Sequence, residues 1–179
     1  MINTHQIRTI FSLLLVVVLA ACASTRELNV QMLQDAEINN FRAPESSVVS
    51  SGQPTVSQLG IAARAGVRHV INLRTEGEEV DFNESEVVDS LGMEYHSIPV
   101  AGGAGVTAEN AATLQALLER LDGEPVLVHC ATSNRVGGLM ALTAHAEGAS
   151  INEALSEGAR WGLTSQRLQQ LVRENLSEN

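Results

Sequence analysis

Short apolar runs and longer amphipathic stretches alternate along the chain beyond about residue 46. The apolar runs predict four buried strands, near residues 48–49, 67–73, 93–100 and 125–129. Between these runs, apolar residues recur every three or four positions, which is the spacing of a helix with one buried face. Strands that alternate with helices indicate an α/β fold, with a mainly parallel central sheet of about four strands flanked by helices.

Capping residues indicate where the helices begin. Thr55-x-x-Gln58 and Ser150-x-x-Glu153 have the capping-box pattern, and Asn83 and Thr107 are residue types that favour the N-cap position. These signals and the apolar spacing predict helices over residues 28–38, 55–66, 83–92, 107–121, 135–147, from 150 onward, and 164–176. In a parallel sheet of this kind, ligands bind beyond the carboxyl ends of the strands.

The N-terminal segment has the pattern of an export signal. Residues 10–20 are apolar apart from Ser12, and Leu19-Ala20-Ala21-Cys22 closes the segment with small residues before a cysteine. This is typical of a lipoprotein signal peptide over residues 1–21, which is cleaved before Cys22 so that its sulfur carries the lipid. An ordinary signal peptide or an uncleaved anchor is the alternative.

This interpretation divides the chain into three parts. Residues 22–45 are polar and predict a tether, and residues 46–179 predict one domain of ordinary size. Lipid at Cys22 places that domain on the extracytoplasmic, periplasmic face of a membrane, with the outer membrane as one destination in a two-membrane bacterium.

The charge of the chain excludes one large class of function. Its net charge is −10, with 11 basic residues, all of them arginine, and 21 acidic ones. Such a chain is a poor binder of nucleic acid and has no polybasic patch for anionic lipid. Any affinity for phosphate must therefore come from a local arrangement of groups.

The segment from His129 to Arg135 carries the candidate chemistry. Cys130 stands where an apolar strand gives way to a helix, and Arg135 follows on the first helical turn. Backbone N–H groups at such a turn, the helix N-terminus and the guanidinium together form an anion site. The same positive field favours the thiolate form of a cysteine, which is the reactive form. An inert, buried cysteine is the alternative.

Several sequence blocks, in order, resemble a known family. His129-Cys130-x4-Arg135 resembles the loop of cysteine phosphatases of the tyrosine and dual-specificity type, and more closely that of the phosphatase-like domain of bacterial beta-lactamase hydrolase-like proteins. Three further blocks support the resemblance, namely Ser50-Ser51-Gly52-Gln53-Pro54, Val70-Ile71-Asn72-Leu73-Arg74 and Tyr95-His96-Ser97-Ile98-Pro99-Val100. Together the blocks span about residues 46–147.

The resemblance implies a three-layer cysteine-phosphatase-like fold and a phosphomonoester substrate, on a protein or a small molecule. It implies that Cys130 is the nucleophile, that Arg135 clamps the phosphoryl oxygens, and that His129 helps to hold the thiolate. No cofactor is implied. The phosphate cradle would consist of the backbone at five consecutive residues, Ala131, Thr132, Ser133, Asn134 and Arg135.

The chain departs from the common tyrosine-phosphatase pattern at the loop and beyond it. Four residues separate Cys130 from Arg135 instead of five, Ser133 stands where a glycine turns the backbone, and Val136 replaces a hydroxyl residue. The loop at residues 101–106, where the general acid usually lies, contains no carboxylate.

The general acid therefore has to be sought elsewhere, and its contribution of ~10²–10⁴ in rate makes the question important. Glu109 is the first candidate, because it is the nearest acid in sequence. Asp81 and Glu76, in the acidic loop at residues 74–82, are the alternatives. Arg74 is expected either to bind substrate or to neutralise this acidic loop.

Two other functions remain open at this point. An anion-binding pseudophosphatase fits the missing acid together with Ser133 and Val136. A rhodanese-like sulfurtransferase fits the four-residue spacing, since a persulfide is also held by a cationic cradle. No metal site is expected, because the five histidines show no i, i+4 pairing and no Cys/His cluster has metal-ligand spacing.

Overall fold

A computed structural model describes residues 27–78 and 80–177. The predicted signal peptide and the lipidation at Cys22 lie outside these residues. The described part contains a four-stranded sheet in the order β1-β4-β2-β3, and every pair in it is parallel. The strands are β1 (Val48–Ser51), β2 (His69–Asn72), β3 (Glu94–Ser97) and β4 (Val126–His129). The predicted parallel sheet and its number of strands are confirmed.

Seven helices flank this sheet in the described chain, and their starts follow the predicted capping residues. Thr55 and Ser150 form capping boxes, and the side chains of Asn83 and Thr107 accept hydrogen bonds from backbone N–H groups in the first turns. The helices are α1 (Val30–Asp35), α2 (Val56–Ala65), α3 (Glu84–Ser90), α4 (Ala108–Arg120), α5 (Asn134–Ala146), α6 (Ile151–Arg160) and α7 (Gln166–Ser177).

Two hydrophobic clusters cover the two faces of the sheet. One contains Val70 and Leu127 of the strands with apolar residues of α1, α2 and α3. The other contains Ile71 and Val128 with residues of α4, α5, α6 and α7. Because neighbouring residues of a strand point to opposite faces, this alternation makes the three layers of a helix–sheet–helix fold.

The carboxyl ends of the strands lie side by side, which positions the site. His129 pairs in register with Ser51 on β1 and with Asn72 on β2, and Asn72 pairs with Ser97 on β3. Cys130, which follows His129 directly, is therefore next to the ends of both neighbouring strands, β1 and β2. This is the edge of the sheet at which a ligand is expected.

The segment predicted as a tether, residues 22–45, packs against the domain from residue 28 onward. Leu28, Leu33 and Ile38 are buried in the hydrophobic cluster that contains Val70 and Leu127. The Asn29 N–H donates to the Ala65 carbonyl at 2.8 Å. Arg42 pairs antiparallel with Ser50. Leu28 precedes α1, Leu33 lies in it and Ile38 follows it, so the helix predicted for residues 28–38 belongs to the packed domain. Among the described residues, no helix combines the length and apolar character needed to cross a bilayer.

Candidate active site

Cys130 lies at the floor of the site, just beyond β4. It is 1% exposed, and its N–H donates to the Ser51 carbonyl at 3.3 Å. β4 is a central strand, so β1 and β2 hold the residue before Cys130 from both sides. The thiol is therefore fixed by the sheet itself, whereas the loop that follows is free to curve around it.

The loop after Cys130 uses its carbonyl groups for hydrogen bonds with the surrounding structure. The Ala131 carbonyl accepts from the Gln53 N–H at 3.2 Å, and the Thr132 carbonyl accepts from the Asn40 side chain at 2.8 Å. Within the described chain, the N–H groups of Ala131, Thr132, Asn134 and Arg135 donate to no backbone carbonyl. These donors stand at the N-terminus of the 13-residue helix α5, and such donors bind anions.

Ser133 makes the sharp turn of the loop. Its φ of 61° lies in the left-handed region, which costs a non-glycine residue roughly 1–2 kcal/mol. Its side chain donates to the Trp161 carbonyl at 2.9 Å, and Ser50 donates to the same carbonyl at 2.9 Å. These bonds hold the loop in a conformation for which glycine would be the usual residue. Trp161 therefore supports the loop through its backbone carbonyl.

Arg135 is almost fully buried, with 7% of its surface exposed. Its Nη1 donates to the Val100 carbonyl at 2.7 Å, and both terminal nitrogens donate to the Glu78 carboxylate at 2.5 and 2.6 Å. Burial lowers the pKa of Arg135. The hydrogen bond to Glu78 and the neighbouring Cys130 raise the pKa by a larger amount, so the net shift is upward. The guanidinium is thus held by the Glu78 carboxylate and the Val100 carbonyl.

Glu78 is the acidic residue that the structure joins to the site, and the sequence analysis did not single it out. Hydrogen bonding to Arg135 lowers the pKa of Glu78 from 4.5 to about 2, against an opposing effect of burial. Its carboxylate also accepts from the Thr75 N–H at 3.0 Å, and its own N–H donates to the Thr75 carbonyl at 3.0 Å. The Thr75-x-x-Glu78 spacing is a local signal for this turn. A carboxylate that stays ionised orients Arg135 and does not donate a proton.

Replacing Glu78 with glutamine is expected to lower the free energy of unfolding by about 1–2 kcal/mol at neutral pH, because it leaves a buried guanidinium without its anionic partner. The folded-state pKa of about 2 lies below the ordinary value of 4.5. The stabilisation is therefore complete above the ordinary value and is lost as the pH falls from it towards the folded value. Denaturant unfolding of wild type and variant across this range measures the difference.

Glu76→Gln is the matched control for this experiment, because Glu76 is exposed in the same loop. The Glu76 variant should unfold like the wild type at every pH. A difference between wild type and Glu78→Gln that persists unchanged down to about pH 2 would contradict an ionic role for Glu78.

Among the described residues, none of the three carboxylates considered as general acid makes a hydrogen bond or ion pair with the loop. Glu109 is exposed on the first turn of α4, and no hydrogen bond or ion pair of the described residues joins its side chain to Cys130 or Arg135. Glu76 and Asp81 are exposed and line an open cavity beside the strand ends. The assignment of Glu109 stays a prediction that no contact supports.

Arg74 takes the second of its two expected roles. Its Nε lies 3.5 Å from the Glu78 carboxylate, and its terminal nitrogens donate to the Glu78 carbonyl and to the Gln53 side chain. The residue therefore neutralises and shapes the acidic loop. Since it also holds Glu78 in place, it acts on Arg135 indirectly.

His129 is completely buried beside a second carboxylate that the sequence analysis missed. Its Nε2 lies 3.1 Å from Glu84, which is also buried. Neither ring nitrogen of His129 makes a hydrogen bond within the described chain, so this contact is one of proximity. Glu84 also accepts from Asn72 at 2.7 Å and from Gln53 at 3.0 Å. A polar network thus fixes the residue before Cys130.

Comparison with known sequences gives the same assignment along most of the domain. The sequence model described as "Beta-lactamase hydrolase-like protein, phosphatase-like domain" matches residues 40–147. A beta-lactamase hydrolase-like protein of Xylella fastidiosa is 35% identical over 97 residues. That region is 52% of this chain and 22% of the relative, so the chain corresponds to a small part of that larger protein.

Comparison with solved structures supports the fold. A candidate phosphatase from Neisseria meningitidis superposes with a TM-score of 0.65 at 21% identity, over 78% of this chain and 97% of its own. Another from Shewanella putrefaciens gives 0.61 at 24% identity, over 83% and 97%. The three-layer arrangement predicted from the sequence is therefore the fold of known cysteine phosphatases, which these neighbours share with a protein named Tk-PTP.

Proposed function

This chain belongs to the family of phosphatase-like domains found in beta-lactamase hydrolase-like proteins, and on that basis we propose that it is a cysteine-dependent phosphomonoester hydrolase. Membership of this family implies a phosphorylated substrate. In the mechanism that we propose, Cys130 forms a phosphocysteine intermediate. The observation that supports it is the position of Cys130 directly after β4, followed by a loop whose N–H groups and Arg135 stand at the start of α5.

In the first step, the Cys130 thiolate attacks the phosphorus of the monoester. A sulfur–phosphorus bond forms as the bond to the leaving oxygen breaks, and the leaving group takes the electron pair and then a proton from water. Arg135 and the free N–H groups of the loop are suited to bind the three remaining phosphoryl oxygens, on which negative charge develops. In the second step, water attacks phosphorus and the sulfur–phosphorus bond breaks, which returns the electron pair to sulfur and regenerates the thiolate. The protons of the water are taken up by the departing phosphate and by the hydroxide left from the first step.

The ionised state of Glu78 affects which phosphate esters the site is expected to cleave fastest. Glu78 has a pKa of about 2 and is ionised at neutral pH, so it has no proton to give. The residue after Arg135 is the buried Val136, which offers no hydroxyl to the second step. We therefore expect hydrolysis to be fastest for aryl phosphates, whose leaving groups depart readily without protonation.

An anion-binding role without turnover is the second candidate. The features that favour it are the exposed positions of Glu76, Asp81 and Glu109 and the bidentate pair between Glu78 and Arg135. In that case the loop binds phosphate but does not cleave an ester. A sulfurtransferase has no comparable support, since the matching family and the structural neighbours are phosphatase-like.

The test is hydrolysis of an aryl phosphate by the purified protein, with the Cys130→Ser variant as the reference. Turnover by the wild type that the variant lacks supports the hydrolase. Saturable phosphate binding with equal, background rates for both proteins contradicts it and favours the binding role.

We further propose that the mature chain is attached to a membrane on its extracytoplasmic side by lipid at Cys22. The support is the sequence Leu19-Ala20-Ala21-Cys22 behind an apolar segment. Metabolic labelling with a fatty acid, compared between the wild type and Cys22→Ala, tests it. Label that remains in the variant contradicts the assignment.

A further inference from the structure

A cluster of two imidazoles and one carboxylate lies at the opposite end of the sheet from Cys130. His69 and Glu94 are cross-strand partners at the start of β2 and β3, and His96 lies two residues further along β3. Since side chains two residues apart in a strand share one face, the pairing brings all three together. One ligand atom from each lies within 4.8 Å of the others.

The distances between the candidate ligand atoms are close to those between neighbouring ligands of one metal ion. The His69 Nδ1 and His96 Nε2 atoms are 3.2 Å apart, and the Glu94 oxygens lie 3.7 Å from His69 and 3.6 Å from His96. In tetrahedral Zn²⁺ coordination, with bonds of about 2.0–2.1 Å, neighbouring ligand atoms are roughly 3.3 Å apart. The three side chains therefore need only small movements to share one ion.

We propose that His69, Glu94 and His96 bind a divalent transition-metal ion with the ligand preference of Zn²⁺. Two imidazoles and a carboxylate are a known zinc ligand set that leaves the fourth position open to water or another ligand. The alternative for the short nitrogen–nitrogen distance is a hydrogen bond between two neutral imidazoles. That alternative gives Glu94 no role, although its carboxylate lies against both rings.

The two imidazoles of the cluster are mostly buried, whereas the carboxylate faces solvent. The side chains of His69 and His96 are 12% and 17% exposed, whereas Glu94 is 66% exposed and leaves a path for an ion to enter. Arg120 of α4 also lies near His96. The other nearby arginine, Arg68, is paired with Glu124 at 3.1 Å.

Sequence inspection could not reveal this site. It contains no i, i+4 histidine pair, and His69 and Glu94 become neighbours only through the register of β2 and β3. The register also separates it from the catalytic loop, because His69 pairs with Val126 at the start of β4 and Cys130 follows the other end. An ion here would join edge strand β3 to the central sheet.

The test is titration of the tag-free full chain, freed of metal by a chelator, with Zn²⁺ by calorimetry and with Co²⁺ by visible absorption. All proteins carry Cys130→Ser, because a catalytic thiolate also binds these ions. We expect one ion per chain, an absorption band typical of tetrahedral Co²⁺, and a midpoint of thermal unfolding raised by about 5 °C at saturating Zn²⁺.

Variants then locate the ion. His96→Ala should weaken binding at least ~10-fold, as ligand loss exceeds the effect of losing an outer partner. Glu94→Gln should weaken it similarly, and this exposed substitution leaves the fold intact. The control is His145→Ala, because His145 lies on α5 and contacts the Ala149 carbonyl. Unchanged binding in both Glu94→Gln and His96→Ala, or no saturable binding in the micromolar range, overturns the proposal.

Discussion

Replacing Cys130 with serine is expected to reduce kcat/KM for an aryl phosphate by about 10⁴-fold or more, which is the scale on which loss of a nucleophile acts. Serine has nearly the shape of cysteine, so the buried position after β4 should accept it. Its hydroxyl is far less ionised than a thiol at neutral pH and leaves phosphorus less readily. Steady-state kinetics with matched enzyme concentrations measure the loss.

Phosphate binding serves as the internal control for this variant. The loop N–H groups and Arg135 are unchanged in Cys130→Ser, so calorimetry should show that the variant still binds inorganic phosphate. A variant that keeps more than a hundredth of the wild-type rate would mean that another group attacks phosphorus. A variant that loses both activity and phosphate binding needs a circular dichroism spectrum to show that it has folded.

Arg135→Lys is expected to lower kcat/KM by about 10²–10³-fold, although it keeps the positive charge. An ammonium group cannot hold the Glu78 carboxylate through two parallel bonds, as the guanidinium does at 2.5 and 2.6 Å, and at the same time address phosphoryl oxygens. We therefore expect the geometry of the guanidinium donors to matter more for the rate than the presence of a positive charge. The effect should appear in kcat, because the transition state carries more charge on these oxygens than the substrate.

Arg64→Lys is the matched control, since Arg64 is exposed in the last turn of α2. It makes the same chemical change on the surface and should leave kinetics unchanged. Because Arg135 is buried, thermal unfolding has to accompany the kinetics, so that rates are compared between folded proteins. Equal kcat/KM for wild type and Arg135→Lys would remove the guanidinium from the mechanism.

The local part of this architecture could be predicted from the sequence. Thr55, Thr107 and Ser150 start helices where their side chains satisfy backbone donors, and the four predicted strand segments form the sheet. Cys130 and Arg135 could be found for the same reason, because a strand end and a helix start lie within six residues of sequence. The relative position of such residues is set by the local strand–loop–helix structure and does not depend on contacts between distant parts of the chain.

The long-range part of the site could not be predicted. Glu78 reaches Arg135 across 57 positions of sequence, and the path of the acidic loop between them decides which carboxylate arrives. From the sequence, Glu76 and Asp81 of that loop were candidates for the general acid, after Glu109, and nothing marked Glu78 as the partner of Arg135. Glu84 was hidden in another way, because at the first turn of α3 an acidic residue usually faces solvent and serves the helix dipole.

The central claim is that Cys130 and Arg135 form a single anion site, and alkylation of Cys130 in the presence and absence of inorganic phosphate tests it most directly. The measurement follows modification of Cys130 by iodoacetamide, with mass spectrometry to identify the site. We predict modification at Cys130 in the free protein and at least ~10-fold slower modification at saturating phosphate, with this protection lost in Arg135→Lys. Equal rates with and without phosphate, or a Cys130 that no reagent reaches, would contradict the account.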